Sequence, residues 1–346
     1  MEHDKKEPTS TPHPDCCHSH KAHAPGETEK HEGKTEFATQ QQAQIIVVLL
    51  LLATGLLAGQ YLPGKDLPKE SLSASGAPVA PKEAARTAAI DATVFPVKGI
   101  PTEATWGDVF PVLVERGVID YDKFTGIFAK GNTPLTAEEL AILTKDMKNA
   151  PIVFTSENAR FTVNALWALG LAQESDVLLK GPMQTNGTTP PDRFASTGGW
   201  TLGRAGAMEY YAKWNLLGLT SEDQQRVTRI AEGIYRPCCG NSTAFPDCNH
   251  GMAMLGLIEL MVSQGASDEE IYRAALAANT YWFPQNVAEL ATYFAEIEGV
   301  AWESVDPVRA VGKDFASGAG ARQVTQALQE KGLLPKAPTG GGSCGA

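Results

Sequence analysis

"MAMLGLIELMVSQGASDEEIYRAALAAN", residues Met252–Asn279, decides the fold class. Its first eleven residues are apolar on every side except at Glu259, the pattern of a helix enclosed by a core. Gly265 then supplies a stop, because a residue without Cβ tolerates the left-handed conformation that ends helices. Ser267 follows as an N-cap with Glu270 three residues on, a capping box that opens a second helix reaching to about Asn279.

The same punctuation extends outward. Asn286 with Glu289 reads as a further cap, carrying Leu290, Phe294 and Ile297 on one face. Passages of helix, glycine and acidic cap recur as "LWALGLAQESD" and "WNLLGLTSEDQ", with glycines at 170, 218 and 265. Intervals of 48 and 47 residues suit stacked helical hairpins, and equally suit unrelated helices that use one capping chemistry. "APIVFT" (150–155) is the best strand candidate and is short. The expected fold is mostly α. "LLKGPMQTNGTTPPDRFASTGGW" (178–200) reads as a long excursion between helices, of a kind that lines a site or simply connects.

A chain of 346 residues that is 43% hydrophobic and 20% charged can bury a substantial core. The net charge of −11 has no basic stripe within it, which argues against nucleic acid as a partner. Residues 1–43, rich in Glu, Lys, His and Pro, read as a disordered tail. "QIIVVLLLLATGLLAGQYL" (44–62) is long and apolar enough to cross a bilayer as a helix. A cleaved signal peptide is the competing reading, but 44 mostly polar residues precede Ile45, where the apolar run begins, and no A-x-A site closes it. Lys30 and Lys34 before it are balanced by Lys65 and Lys69 after it, so the simpler topology, short tail inside and large domain outside, sets the expected orientation. Residues 63–94 have the composition of a tether, 95–335 the texture of a helical domain, and 336–346 that of a glycine-rich tail. The expected location is therefore a cell membrane, crossed once, with the large C-terminal domain outside the cytoplasm, where disulfides persist.

Chemistry concentrates in "YRPCCGNSTAFPDCNHG" (235–251), which holds three of the six cysteines and one of the seven histidines. The turn-forming "GNSTAFPD" can bring Cys238 and Cys239 back onto Cys248. Cys248 lies at the start of the buried helix, where backbone N–H groups favour a thiolate, although Asp247 opposes it. Three interpretations follow. Cys238, Cys239, Cys248 and His250 form a Cys₃His set for zinc, or a subset holds copper. Alternatively Cys248 is the nucleophile of a thiol-disulfide oxidoreductase that pairs with Cys239 or Cys238. The third is a structural disulfide that staples an interaction or scaffold protein. Residues two apart diverge on a helix, so Cys248 and His250 can share an ion only if the helix begins at or after Asn249. Met252 and Met254 are read as core filling rather than thioether ligands. "CCHSHKAH" offers Cys16, Cys17, His18, His20 and His23 as accessory donors, and Cys344 in the C-terminal tail could swing into the cluster. No phosphate-binding glycine loop, Ser/His/Asp pattern or carboxylate pair stands out.

"IYRPCCGNSTAFPDCNHGMAMLGLIELMVSQGASDEEIYRAAL", about 45 residues, resembles the small thiol-redox subunit of bacterial cytochrome c maturation. That family has a C-P-x-C motif followed by a helix, a glycine and an S-D-E-E-I-type helix. Arg236 stands where its first cysteine belongs and Cys239 matches the second, so a redox couple here would have to be rebuilt with Cys248. The stretch is also similar to extracytoplasmic proteins named for a P-C-Y-C-G-C motif, with Pro237, Cys238, Cys239 and Gly240 as a shortened version and Asp247-Cys248 matching their later D-C. Both resemblances imply thiol or metal chemistry outside the cytoplasm. The reading that results is a membrane-anchored protein binding copper or zinc, with a metal- or thiol-exchange protein as its partner.

Overall fold

A computed structural model describes residue 90 and residues 92–185 and 189–334; the tail, the apolar stretch 44–62 and Cys344 lie outside them. The described part is mostly helical. Strand β1 (Ile100–Gly107) is followed by helices α1 (Val109–Glu115), α2 (Tyr121–Lys130) and α3 (Ala137–Thr144), after which β2 (Met147–Phe154) returns antiparallel to β1, Ile100 opposite Phe154. The predicted strand at 150–155 is thus half of a two-stranded sheet. Its partner β1 was not foreseen, because "IPTEATWG" carries a proline and a glutamate rather than a β-branched run.

At the core of the described part is a pair of helices, α4 (Ala159–Ala172) and α6 (Asn249–Ser263), with α5 (Ser221–Gly233) and α7 (Asp268–Trp282) packed beside α6. Every residue of α6 from Gly251 to Val262 is buried, Glu259 among them, so its all-round apolar pattern means what it predicts. Helices α4 and α6 approach closely at two glycines. A Cβ on Gly170 would sit 2.2 Å from the Met252 carbonyl oxygen, and one on Gly256 2.4 Å from that of Leu166.

This corrects the recurrence of glycines. Gly170 is a packing residue inside α4, Gly218 (φ +66°) belongs to the turn before α5, and Gly265 (φ +77°) alone ends a helix. What does recur is the cap: Thr220 with Asp223 opens α5 and Ser267 with Glu270 opens α7, both as complete capping boxes. The predicted cap at Asn286 is displaced. Helix α8 (Pro284–Tyr293) begins two residues earlier, with Pro284 at its first position, where a missing N–H costs nothing. The Glu289 carboxylate is taken instead by Gln285 Nε2 at 3.0 Å and by the Thr325 hydroxyl of α9 (Gly318–Glu330).

The 178–200 segment is not an open excursion. It is broken into short helical turns, Asp176–Lys180, Pro182–Thr185, Pro191–Arg193 and Ala195–Gly198. The last is clamped to the core by Trp167 Nε1, which donates to the Ser196 carbonyl at 2.6 Å. It also backs the cysteine loop: the Ser196 amide donates to the Asp247 carbonyl at 3.2 Å, and Phe194 meets Phe245 edge-on at 5.4 Å.

Candidate metal and thiol centre

The loop Tyr235–Asp247 folds back as its composition predicts. Tyr235 bridges Ser242, and the Thr243 amide and hydroxyl both donate to the Ile234 carbonyl, at 2.8 and 3.0 Å. Its outer half is held from the C-terminal side. The Tyr235 amide donates to the Val311 carbonyl at 2.8 Å, and the Gly318 amide at the start of α9 donates to the Cys239 carbonyl at 2.7 Å. From α7, Asn279 Nδ2 donates to the Tyr235 carbonyl at 3.0 Å.

This closure places three sulfur atoms in a near-equilateral triangle. Cys238 Sγ lies 3.8 Å from Cys239 Sγ and 3.5 Å from Cys248 Sγ, and the Cys239–Cys248 edge is 3.9 Å. All three are free cysteines; Cys238 is exposed and the other two are half-buried. Together they form a group able to hold a metal ion, every ligand atom within 4.8 Å of the others. Sulfurs sharing one tetrahedral zinc at about 2.3 Å stand about 3.8 Å apart, so the triangle already has the edges that such an ion requires.

Helix α6 begins at Asn249 with Cys248 as its N-cap, in extended backbone (φ −117°, ψ 164°), which meets the geometric condition set for His250. His250 nevertheless stays outside the group of mutually close ligand atoms. From the second helical position its ring packs on Phe283, centroids 4.6 Å apart, and on Trp282 at 5.9 Å, and it reaches Cys248 alone. Met252 and Met254 are fully buried core residues, as expected. Cys16, Cys17, His18, His20, His23 and Cys344, the expected accessory donors, lie outside the described residues.

The residue that sequence reasoning passed over is Arg236. It is fully buried, and its guanidinium donates through Nε to Cys248 Sγ at 3.2 Å, through Nη1 to the Asn241 carbonyl at 2.9 Å, and through Nη2 to the Phe245 carbonyl at 3.1 Å and to Asp247 Oδ1 at 2.6 Å. Asp247 Oδ2 accepts from Asn241 Nδ2 at 2.8 Å. The carboxylate expected to oppose a thiolate is thereby neutralised. Room for the arginine comes from Gly251, where a Cβ would fall 2.5 Å from Nη2. The signal was in the sequence: an arginine directly before Pro-Cys-Cys and a glycine in the first turn of α6.

These contacts separate the three sulfurs chemically. Cys248 is held well below the ordinary thiol range, by hydrogen bonds from Cys238 and Cys239 first, then from His250 and by the charge of Arg236, against the opposing effect of burial. The α6 amide of Gly251 also donates to it at 3.3 Å. Cys238 is pushed upward, because its proton is shared with Cys239 and Cys248. For Cys239 the hydrogen bond from Cys238 pulls down, but the bond to Cys248 and burial outweigh it and raise the group to about 12. Burial alone would lower the pKa of Arg236; the charges of Cys248 and Cys239 reverse this and keep the guanidinium cationic. The centre is therefore one thiolate and two thiols around a fixed positive charge.

No protein-family model, curated protein or solved structure matches the chain.

Proposed function

We propose that the chain is a metal-binding protein whose Cys238, Cys239 and Cys248 take a soft or borderline ion, copper or zinc, as thiolate ligands. The observation that carries this is the sulfur triangle, with edges of 3.5, 3.8 and 3.9 Å. Ordinary packing has no need to bring three thiols so close, whereas one shared ion does. Arg236 supports the same conclusion, since a buried cation offsets the charge that three thiolates accumulate, and an N–H directed at a ligand sulfur orients and tunes it.

In this proposal residues 44–62 anchor the chain in a bilayer and the helical domain works outside the cytoplasm, delivering its ion to, or receiving it from, another protein. Support for the anchor is the length and apolarity of the stretch. Among the described residues no helix is long and apolar enough to cross a membrane.

A second activity is favoured by the low-lying Cys248 thiolate. It would attack a partner's disulfide, forming a mixed disulfide and releasing one partner thiolate. Cys238, 3.5 Å away, would then lose its proton and displace Cys248's partner sulfur, leaving a Cys238–Cys248 disulfide and a reduced partner. Metal analysis beside a free-thiol count separates the two activities. Metal binding requires about one ion per chain that masks three thiols and is lost in Cys248→Ser. Exchange requires a metal-free chain with a readily reducible pair. A chain with neither, or Cys248→Ser behaving as wild type in both assays, removes both.

A further inference from the structure

Among the described residues only three donor atoms converge at the centre; Asp247 is committed elsewhere and His250 stays outside the group. Asp247 gives one oxygen to Arg236 and the other to Asn241. His250 packs its ring on Phe283 and meets only one of the three sulfurs. Behind Cys248 the space is filled by Arg236 lying on Gly251. Cys238 is the exposed member of the three, and Cys239 and Cys248 are half-buried.

Structural zinc sites are closed by four protein ligands, whereas monovalent copper is satisfied by soft sulfur donors alone. We infer that the ion is Cu⁺ held by three sulfurs, and that it enters and leaves through Cys238 by exchange with a thiol of another molecule. This inference rests on the metal-binding proposal above. The sulfurs are graded for such a transfer. Cys248 is anchored by the Gly251 amide and by Arg236 Nε, and the loop at Cys239 is pinned through its carbonyl to Gly318, while Cys238 combines exposure with no such anchor. In the exchange step the incoming thiolate forms a copper–sulfur bond as the copper bond to Cys238 breaks, and the Cys238 sulfur takes a proton from solvent. Copper stays monovalent and no electron moves.

The test uses the full chain carrying Cys16→Ser, Cys17→Ser and Cys344→Ser, without oxygen, with Cu⁺ or Zn²⁺ supplied alone. X-ray absorption of the copper form is expected to show three sulfur neighbours and no nitrogen, unchanged by His250→Ala. Cys238→Ser, a change at an exposed position, is expected to leave copper on two sulfurs and to slow its transfer to glutathione about tenfold or more. A nitrogen neighbour lost in His250→Ala, or transfer unaffected by Cys238→Ser, overturns this inference while leaving metal binding standing. Stoichiometric zinc with four protein donors and no retained copper also overturns it alone. A chain that retains neither ion overturns the metal-binding proposal with it.

Discussion

Arg236 Nε stands 3.2 Å from Cys248 Sγ at the mouth of α6, and the arginine is fully buried. A buried cation of this kind is committed to its partners, because removing it leaves a carboxylate and a thiolate uncompensated in a poorly solvated place. Arg236→Met should therefore cost about 3–5 kcal/mol of stability in denaturant unfolding. Arg236→Lys should fall between the two, since one ammonium cannot serve the Asn241 and Phe245 carbonyls, Asp247 and the sulfur together. An unchanged midpoint for Arg236→Met would show that the guanidinium is not organising the loop.

The three thiols should ionise in separate steps. In the metal-free protein lacking the tail cysteines, thiolate absorbance near 240 nm should show one group already ionised well below the ordinary thiol range, near 8.5. The other two protons should leave only at strongly alkaline pH, that of Cys239 at about 12. The linkage has two signs. Cys248, lowered in the folded state, stabilises fully above the unfolded thiol pKa and loses that contribution as pH falls. Cys239, raised in the folded state, costs stability as pH climbs from about 8.5 toward 12, because the unfolded chain ionises first. Three thiolates appearing together near pH 8.5 would contradict the arrangement.

Cys248→Ser should separate function from folding. Cys248 is the N-cap of α6, its sulfur accepting from the Gly251 amide at 3.3 Å. Serine is among the preferred N-caps, so its hydroxyl can take over that role. The variant is expected to unfold within about 1 kcal/mol of wild type while losing metal retention or exchange entirely. A large loss of stability would mean that the sulfur holds the loop together, as a staple or packing group.

How much of this was legible follows from the range of each interaction. Ser267, Glu270 and Gly265 act on neighbours within a turn, and their effects were readable directly. The burial of α6 was readable too, because a helix apolar all round has no other place to go. The loop closure that joins Cys238 and Cys239 to Cys248 was suggested by its turn residues. Arg236 was not understood, since its meaning depends on Gly251, Asn241 and Asp247 arriving around it. His250 is a similar case: spacing says which way a residue at the second helical position points, but not that Phe283 is there to receive its ring, so that it reaches Cys248 without joining the three-sulfur group. Gly170 looked like punctuation because nothing local distinguishes a stop from a helix-contact glycine.

Gly170→Ala tests that last distinction. Alanine is favoured over glycine inside a helix by about 1 kcal/mol, so a residue that merely interrupts α4 would give a more stable protein when replaced. Here the new Cβ would meet the Met252 carbonyl oxygen at 2.2 Å, a backbone atom that moves only with α6 itself. Overpacking costs about 1–3 kcal/mol, and the clash should outweigh the helical gain. Thermal unfolding should show a lower midpoint, and a higher one would mean that the helices part easily.

Glu259 is the most exposed point of weakness in the energetics of α6, although it is fully buried. Its carboxyl is buried with the Ser175 hydroxyl nearby, and burial, only partly opposed by that hydroxyl, raises its pKa well above the ordinary value. The folded protein therefore keeps a proton there that the unfolded chain gives up above about pH 4.3. Unfolded-state ionisation then costs stability as pH rises, by about 1.4 kcal/mol for each unit up to the folded pKa. Glu259→Met removes the titrating group and keeps a long side chain in the core. It should raise the unfolding midpoint at pH 7, with the gain shrinking toward pH 4, where both states of the wild type are protonated. A gain independent of pH would assign the effect to hydrophobic burial alone, and a loss would mean that the carboxyl has a partner it depends on.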